Sequence, residues 1–159
     1  MHANADLILG FYQAFNRRDA EAMAACYSRD VQFEDPAFGV LQGDEVRGMW
    51  RMLCERALDL QVTVTDIEAN DDHGSARWEA LYTFTQTGRR VHNVIEAEFA
   101  FRQGRISAHH DRFDFWRWSR QALGPPGWLL GWSGFLRDKV RTQARANLTR
   151  YLAGSATRP

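Results

Sequence analysis

The 159-residue chain has the length of one ordinary domain, and 45% hydrophobic residues with 13% aromatics give it ample material for a core. Twenty Lys and Arg balance twenty Asp and Glu, so no net charge points to nucleic acid. No apolar run approaches the roughly 20 residues that span a bilayer, and the opening Met1-His2-Ala3-Asn4-Ala5-Asp6 lacks the basic and apolar regions of a signal peptide; the chain reads as soluble and cytoplasmic, with no nucleic-acid partner and no membrane span.

Leu7, Ile8, Phe11, Tyr12 and Phe15 fall on one stripe at helical spacing and predict an amphipathic helix from about Ala5 to Asn16. Asp19 is placed to N-cap a second, Ala-rich helix ending near Tyr27. Val31-Gln32-Phe33 alternates briefly as a strand, which Pro36 stops. Gly43-Asp44 opens a third helix, with Val46, Met49, Trp50 and Leu53 on one face. After Arg56 the period changes to two, Leu60, Val62 and Val64 alternating with Gln61, Thr63 and Thr65. Turns at Asp71-Asp72-His73-Gly74, Thr87-Gly88 and Gln103-Gly104 then separate strands over Ser75 to Gln86, Val91 to Arg102 and Arg105 to about Trp116, an antiparallel meander. Helices followed by a meander make an α+β fold, the helices covering one face of a strongly bent antiparallel sheet.

Beyond Trp118 the composition shifts. Gly124-Pro125-Pro126-Gly127 is a rigid turn, Trp128, Leu129, Leu130 and Trp132 form a short apolar segment, and Leu136, Val140, Ala144, Leu148 and Tyr151 mark a last amphipathic helix. From Arg117 onward eight basic residues (Arg117, Arg120, Arg137, Lys139, Arg141, Arg145, Arg150, Arg158) face Asp138 alone. A basic tail lying on an acidic body, its own or a partner subunit's, accounts for this imbalance, with anionic lipid or nucleic acid as the alternatives. Cys26 and Cys54, far apart and outside any CxxC spacing, read as small buried residues of a reducing compartment.

Alternation decides which side chains share a face. Arg77, Glu79, Leu81 and Thr83 point one way, Trp78, Ala80, Tyr82 and Phe84 the other, and His109, Asp111 and Phe113 oppose His110, Arg112 and Asp114. Periodicity does not choose the inner set.

The segments Phe11-Tyr12-Gln13-Ala14-Phe15-Asn16-Arg17-Arg18-Asp19, Val31-Gln32-Phe33-Glu34-Asp35-Pro36 and Gly104-Arg105-Ile106-Ser107-Ala108-His109-His110-Asp111-Arg112-Phe113-Asp114 resemble, in order and spacing, the nuclear transport factor 2-like superfamily. Its members include ketosteroid isomerases, limonene-epoxide hydrolases, scytalone dehydratase and SnoaL-like polyketide cyclases. The resemblance implies a cone over residues 1–118, its pocket between the bent sheet and the helices, with 119–159 as a helical extension. It matches Arg77, Glu79 and Asp111 to the hydrolases' Arg-x-Asp pair and last-strand Asp, which would make Asp111 the base, Glu79 the acid and Arg77 the bridge. Phe33 and Asp35 stand where that family has Tyr and Asn. Glu34-Asp35-Pro36 resembles the segment holding the isomerases' proton-shuttling Asp, but Phe11 and Ala97 replace the two enolate donors. His109, beside Asp111, matches the cyclases' use of a His and an Asp.

The expected catalytic set is therefore Asp35, Arg77, Glu79, His109 and Asp111, within a pocket of Phe15, Phe33, Trp50, Leu81, Asn93, Ile95, Ala97 and Phe113. Consecutive strand residues face opposite sides, so His109, His110 and Asp111 offer too few ligands for a metal, and no phosphate loop or nucleophile elbow calls for a cofactor. Two functions fit: a cofactor-free acid–base enzyme on a small hydrophobic oxygenated molecule, or a non-catalytic ligand-binding or dimerising module. A homodimer is expected because an outer sheet face carrying Tyr82, Phe84 and Val94 would not stay in water.

Overall fold

A computed structural model describes residues 1–156, so Arg158 lies outside the described residues. The order is α1 (Ala3–Asn16), α2 (Ala20–Ala25), β1 (Tyr27–Asp35), β2 (Gly39–Gln42), α3 (Asp44–Arg56), β3 (Gln61–Ala69), β4 (His73–Phe84), β5 (Arg89–Arg102), β6 (Arg105–Arg112), α4 (Phe115–Leu123), α5 (Pro125–Leu130) and α6 (Gly134–Ala156). This is an α+β fold, with one curled, unclosed six-stranded sheet in the order β2-β1-β6-β5-β4-β3. All neighbours are antiparallel except β1 and β6. Register shifts between Thr65 and Glu68, where Asp66 has φ 54°, and between Ala100 and Phe101 mark irregularities of the kind that bend strands.

Caps set several boundaries. Asp19 accepts from Ala22 N–H at 3.1 Å and starts α2, which ends before Tyr27; that tyrosine opens β1 instead of closing a helix. Asp114 accepts from Arg117 N–H at 3.1 Å, turning the chain into α4, so Trp116 stands on a helix and not at the end of a strand. β2, four residues long, has no counterpart in the sequence reading.

The core lies between α1 and the inner sheet face. Ile8, Phe11, Tyr12 and Phe15 pack with Ala76, Trp78, Ile95, Ala97 and Phe99, all buried. On β4 the inner set is Ala76, Trp78, Ala80 and Tyr82, leaving Arg77, Glu79 and Leu81 outside. The reason is desolvation. Burying indole and phenol rings is favourable, whereas burying Arg77 and Glu79 would cost more than their pairing returns. Outside, Arg77 meets Glu96 at 3.7 Å, Glu79 meets His92 at 2.8 Å, and Arg112 meets Glu98 at 3.6 Å. The outer face is thus largely charged, and the apolar pair Tyr82 and Phe84, expected to drive dimerisation there, turns inward to pack with Val91, Phe115, Trp118 and Ala122.

The extension closes the open end of the cone. Leu148 and Leu152 of α6 lie over Gly48 of α3, and Arg145 Nη1 donates to the Phe38 and Val40 carbonyls, both at 3.0 Å. α5 meets α4 closely at its glycines: a Cβ on Gly127 would lie 2.0 Å from the Ser119 carbonyl oxygen, and one on Gly131 2.8 Å from the Ser119 Cβ. Gly127→Ala should therefore prise α5 off α4, lowering the thermal midpoint and speeding amide exchange across 125–131, at a cost of about 1–3 kcal/mol. Gly134→Ala, which meets nothing within 4 Å, should leave both measurements unchanged or improved. Equal behaviour of the two variants would show that the glycine contact is not what holds α5.

Candidate functional site

The parallel pairing of β1 and β6 builds the centre of the site. It sets Phe33 beside His109 and Glu34 beside His110. Because strand side chains alternate, Phe33, Asp35, His109 and Asp111 share the inner face, and one further step in the same register sets Asp35 beside Asp111. Both carboxyls line a cavity of about 650 Å³. Its wall is otherwise mostly apolar, with Phe15, Trp50, Trp78, Ile95, Phe113 and Leu136 among its members and Asn93 and Lys139 as polar points.

His109 and Asp111 are 1% and 3% exposed, among the few buried polar residues. The His109 ring is enclosed by Phe11, Phe33, Phe99 and the stacked Trp50, at centroid distances from 4.5 to 6.2 Å. A chain of hydrogen bonds crosses this aromatic cage. Trp50 Nε1–H donates to the Tyr27 hydroxyl oxygen at 2.9 Å. That hydroxyl lies 2.8 Å from His109 Nδ1, and His109 Nε2 lies 2.9 Å from Asp111 Oδ1. Trp78 Nε1–H reaches the same Oδ1 at 3.3 Å. Indoles only donate, so the Tyr27 oxygen accepts from Trp50 and its own proton goes to His109 Nδ1. The imidazole proton then sits on Nε2 and points at Asp111, and every proton in the chain has an acceptor. Both donors land on Oδ1, which leaves the second oxygen of Asp111 for the cavity.

Asp35 ends β1, and Phe38 N–H of the following turn donates to its Oδ1 at 2.6 Å. Burial pushes its carboxyl up to about 7 and the neighbouring Asp111 adds to this, against the pull of the turn's N–H groups and of Arg141. Tyr82 faces the same space. Trp118 Nε1–H donates to its oxygen at 2.8 Å, so its own proton remains available to an occupant. Burial, with the Asp35 charge behind it, pushes the Tyr82 phenol up to about 12. The Tyr12 hydroxyl is buried without a partner and is also raised, first by burial and then by Asp111.

Of the residues expected from sequence, Asp35, Asp111, Phe15, Trp50, Asn93, Ile95 and Phe113 line the cavity. His109 stands behind Asp111, and Phe33 and Ala97 are buried in the core behind the wall. Arg77, Glu79 and Leu81 are corrected to the outer face, so Arg77 does not bridge the two inner carboxyls. Tyr27, Trp78, Tyr82 and Trp118 were missed as polar partners. The alternation that excludes Arg77 also admits Trp78 and Tyr82, but no local signal marks Tyr27, whose role comes from strand pairing. Among the described residues no group of three or more His, Cys, Asp or Glu is placed to hold a metal ion.

Comparison with known proteins gives a family and a fold. Residues 8–109 match the model of the SnoaL-like domain. No curated protein matches the chain. Among solved structures, IdmH, a candidate polyketide cyclase from Streptomyces antibioticus, is 24% identical with a TM-score of 0.64, covering 76% of this chain and 98% of its own. An LEH-like epoxide hydrolase from M. tuberculosis is 19% identical (TM-score 0.65; 76% and 90% covered). An NTF2-like protein of unknown function from Burkholderia pseudomallei K96243 is 22% identical (TM-score 0.63; 72% and 92% covered). At these identities the likeness is one of fold.

Two measurements check the site's electrostatics. The raised Asp35 carboxyl stabilises the fold fully below its ordinary value near 4, and that contribution is lost as pH rises through about 7. Asp35→Asn keeps an acceptor for Phe38 N–H, so it should melt above the parent near pH ~8 and level with it near pH ~4, the gap being on the order of a few kcal/mol at most. A gap independent of pH would mean that Asp35 ionises normally. Tyr27→Phe strands the Trp50 indole and His109 Nδ1 in the core; denaturant titration should read a loss of about 1–3 kcal/mol.

Proposed function

The chain belongs to the SnoaL-like domain family, and from that premise we propose that it is a cofactor-free acid–base enzyme acting on a small, largely apolar carbonyl compound. One observation carries the reading: two carboxyls on adjacent strands face one apolar cavity, and the environment separates their duties. Asp35 keeps its proton to about 7, while Asp111 accepts from His109 and Trp78 on one oxygen and offers the other.

In the proposed reaction the open oxygen of Asp111 removes a proton from carbon next to the substrate carbonyl. The C–H electron pair moves into the carbonyl and forms an enolate. Its oxygen takes hydrogen bonds from the Asp35 carboxylic acid and the Tyr82 hydroxyl, which supply the two-donor stabilisation that such an anion needs in a poorly hydrated site. Return of the proton to the far carbon of a conjugated enolate isomerises the substrate; attack of the enolate carbon on a second carbonyl of the same molecule closes a ring, that carbonyl's π pair passing to its oxygen, which takes the proton from Asp111. His109 is a positioning residue. Its Nε2–H orients Asp111, and Tyr27 fixes the tautomer that makes this donation. Epoxide opening of the hydrolase kind is disfavoured, because its implied acid Glu79 and bridge Arg77 face outward.

A non-catalytic ligand cup is the second reading, and the complete burial of the His109 side chain favours it, since a histidine shut behind Asp111 also serves a purely structural bond. Solvent exchange separates the two. Incubated in D₂O with a panel of cyclic ketones and 1,3-dicarbonyls, the protein should speed deuterium uptake at the carbon next to the carbonyl. Asp111→Asn should reduce the rate by about 10²–10⁴-fold, and Tyr82→Phe by about 10²-fold. Arg77→Ala and Glu79→Gln should leave it within about twofold. The parent rate should fall as pH rises through about 7, where Asp35 loses its proton, and Asp35→Asn should flatten that limb. Saturable ketone binding with no exchange at any pH would establish the cup.

A further inference from the structure

The rim of the cavity carries an apolar surface that the body of the protein does not cover. Pro126 of α5 and Leu136 of α6 line the cavity, and between and beside them Trp128, Leu129, Leu130, Trp132 and Phe135 are 55%, 71%, 43%, 72% and 69% exposed. Successive residues of α5 point some 100° apart, so Trp128, Leu129 and Leu130 cannot share one inward face. The side of α5 that meets the body is Gly127, pressed on the Ser119 backbone, and Gly131 follows one turn later at the Ser119 side chain. Trp128 leans one side on Arg120 and Trp116 of α4 yet stays more than half exposed, Leu129, Trp132 and Phe135 are more exposed still, and such a cluster is seldom left bare in water.

Charge identifies what covers it. From Phe115 to Arg137 the chain has three arginines, Arg117, Arg120 and Arg137, and no carboxylate. Arg120 lies between the Trp116 and Trp128 rings, 4.1 and 4.7 Å from their centroids, and Arg137 lies 5.5 Å from the Phe115 ring. Guanidinium groups stacked among exposed indoles match the headgroup region of a bilayer, where tryptophan rings sit at the boundary and arginines meet phosphate. A second copy fits less well, because symmetric pairing of this patch sets one arginine rim against the other. Among the described residues no helix is long and apolar enough to cross a membrane, so attachment is by lying on the surface.

We infer that the α5–α6 rim docks on an anionic lipid surface and presents the cavity mouth to it, so that an apolar substrate enters from the membrane. The inference rests on the reading of the cavity as a site for an apolar molecule, and its test keeps the two apart. The full chain should float with phosphatidylcholine vesicles rich in phosphatidylglycerol and stay behind with pure phosphatidylcholine, with tryptophan emission shifting to the blue on binding. Leu129→Glu, and separately Arg117→Glu with Arg137→Glu, should each lower partitioning by tenfold or more, on the order of the loss of one or two interfacial contacts. None of these residues lines the cavity, so ketone exchange in solution should be unchanged in the variants. Asp111→Asn should float like the parent. Absence of vesicle binding overturns the surface and leaves the cavity chemistry standing; absence of exchange with intact flotation does the reverse. A parent that is dimeric by light scattering, becomes monomeric on Leu129→Glu and ignores vesicles would assign the patch to a second copy and overturn the proposal.

Discussion

A histidine–aspartate pair enclosed in aromatic rings persists only if each of its polar atoms has a partner, and the rest of the structure is arranged around that requirement. An unpaired polar group at such depth costs about 1–3 kcal/mol, more if charged. The partners come from four separate elements: Trp50 from α3, Tyr27 from the start of β1, His109 and Asp111 from β6, and Trp78 from β4. Each is brought in by a different packing event, so the chain of hydrogen bonds is complete only when the cone is. Such a network specifies one arrangement of the core, because any shift that breaks one link leaves others unpaired as well. The two indoles are central to its direction. Neither can accept, so they terminate the chain at both ends and leave a single consistent order of protons.

The α+β class, α1, α3 and the strands of the meander were legible because each is long and strongly periodic. The faces of the strands were not. On β4 the two alternating sets, Arg77-Glu79-Leu81 and Trp78-Ala80-Tyr82, each contain residues that some member of the superfamily buries, and resemblance to the hydrolases pointed to the charged set. What decides otherwise is non-local: α4 brings Phe115 and Trp118 against Tyr82 and Phe84, and Glu96 on the neighbouring strand pairs with Arg77 outside. Asp111 was legible through the resemblance, which matched it to the hydrolases' last-strand Asp and set it beside His109. Short elements escaped for ordinary reasons. β2 has four residues, and Phe113-Asp114-Phe115-Trp116 alternates like a strand until Asp114 caps the next helix.

The C-terminal shift in composition was visible in the sequence, and its position was not. Its aromatic residues serve two ends. Trp118 completes the wall by donating to Tyr82, while the residues from Trp128 to Phe135 remain outside, held there by glycines that admit no side chain between α5 and α4. Its basic residues divide similarly. Arg145 ties α6 to Phe38 in the turn after β1 and to Val40 of β2 through their carbonyls, and Arg141 lies against Gly39 at the start of β2.

Asp35 leads into that turn, so α6 is anchored close to the acid. Burial is the largest cause of the raised Asp35 carboxyl, and Leu136, Val140 and Ala144 of α6 line the same cavity. The same helix brings Arg141, whose positive charge acts in the opposite direction. The Phe38 and Ala37 N–H groups, and Arg141 least of all, pull the carboxyl down, so it stands at about 7. Burial and the N–H groups of the β1–β2 turn thus act in opposite directions on one carboxyl, and the acid depends on that turn as much as on the cavity wall.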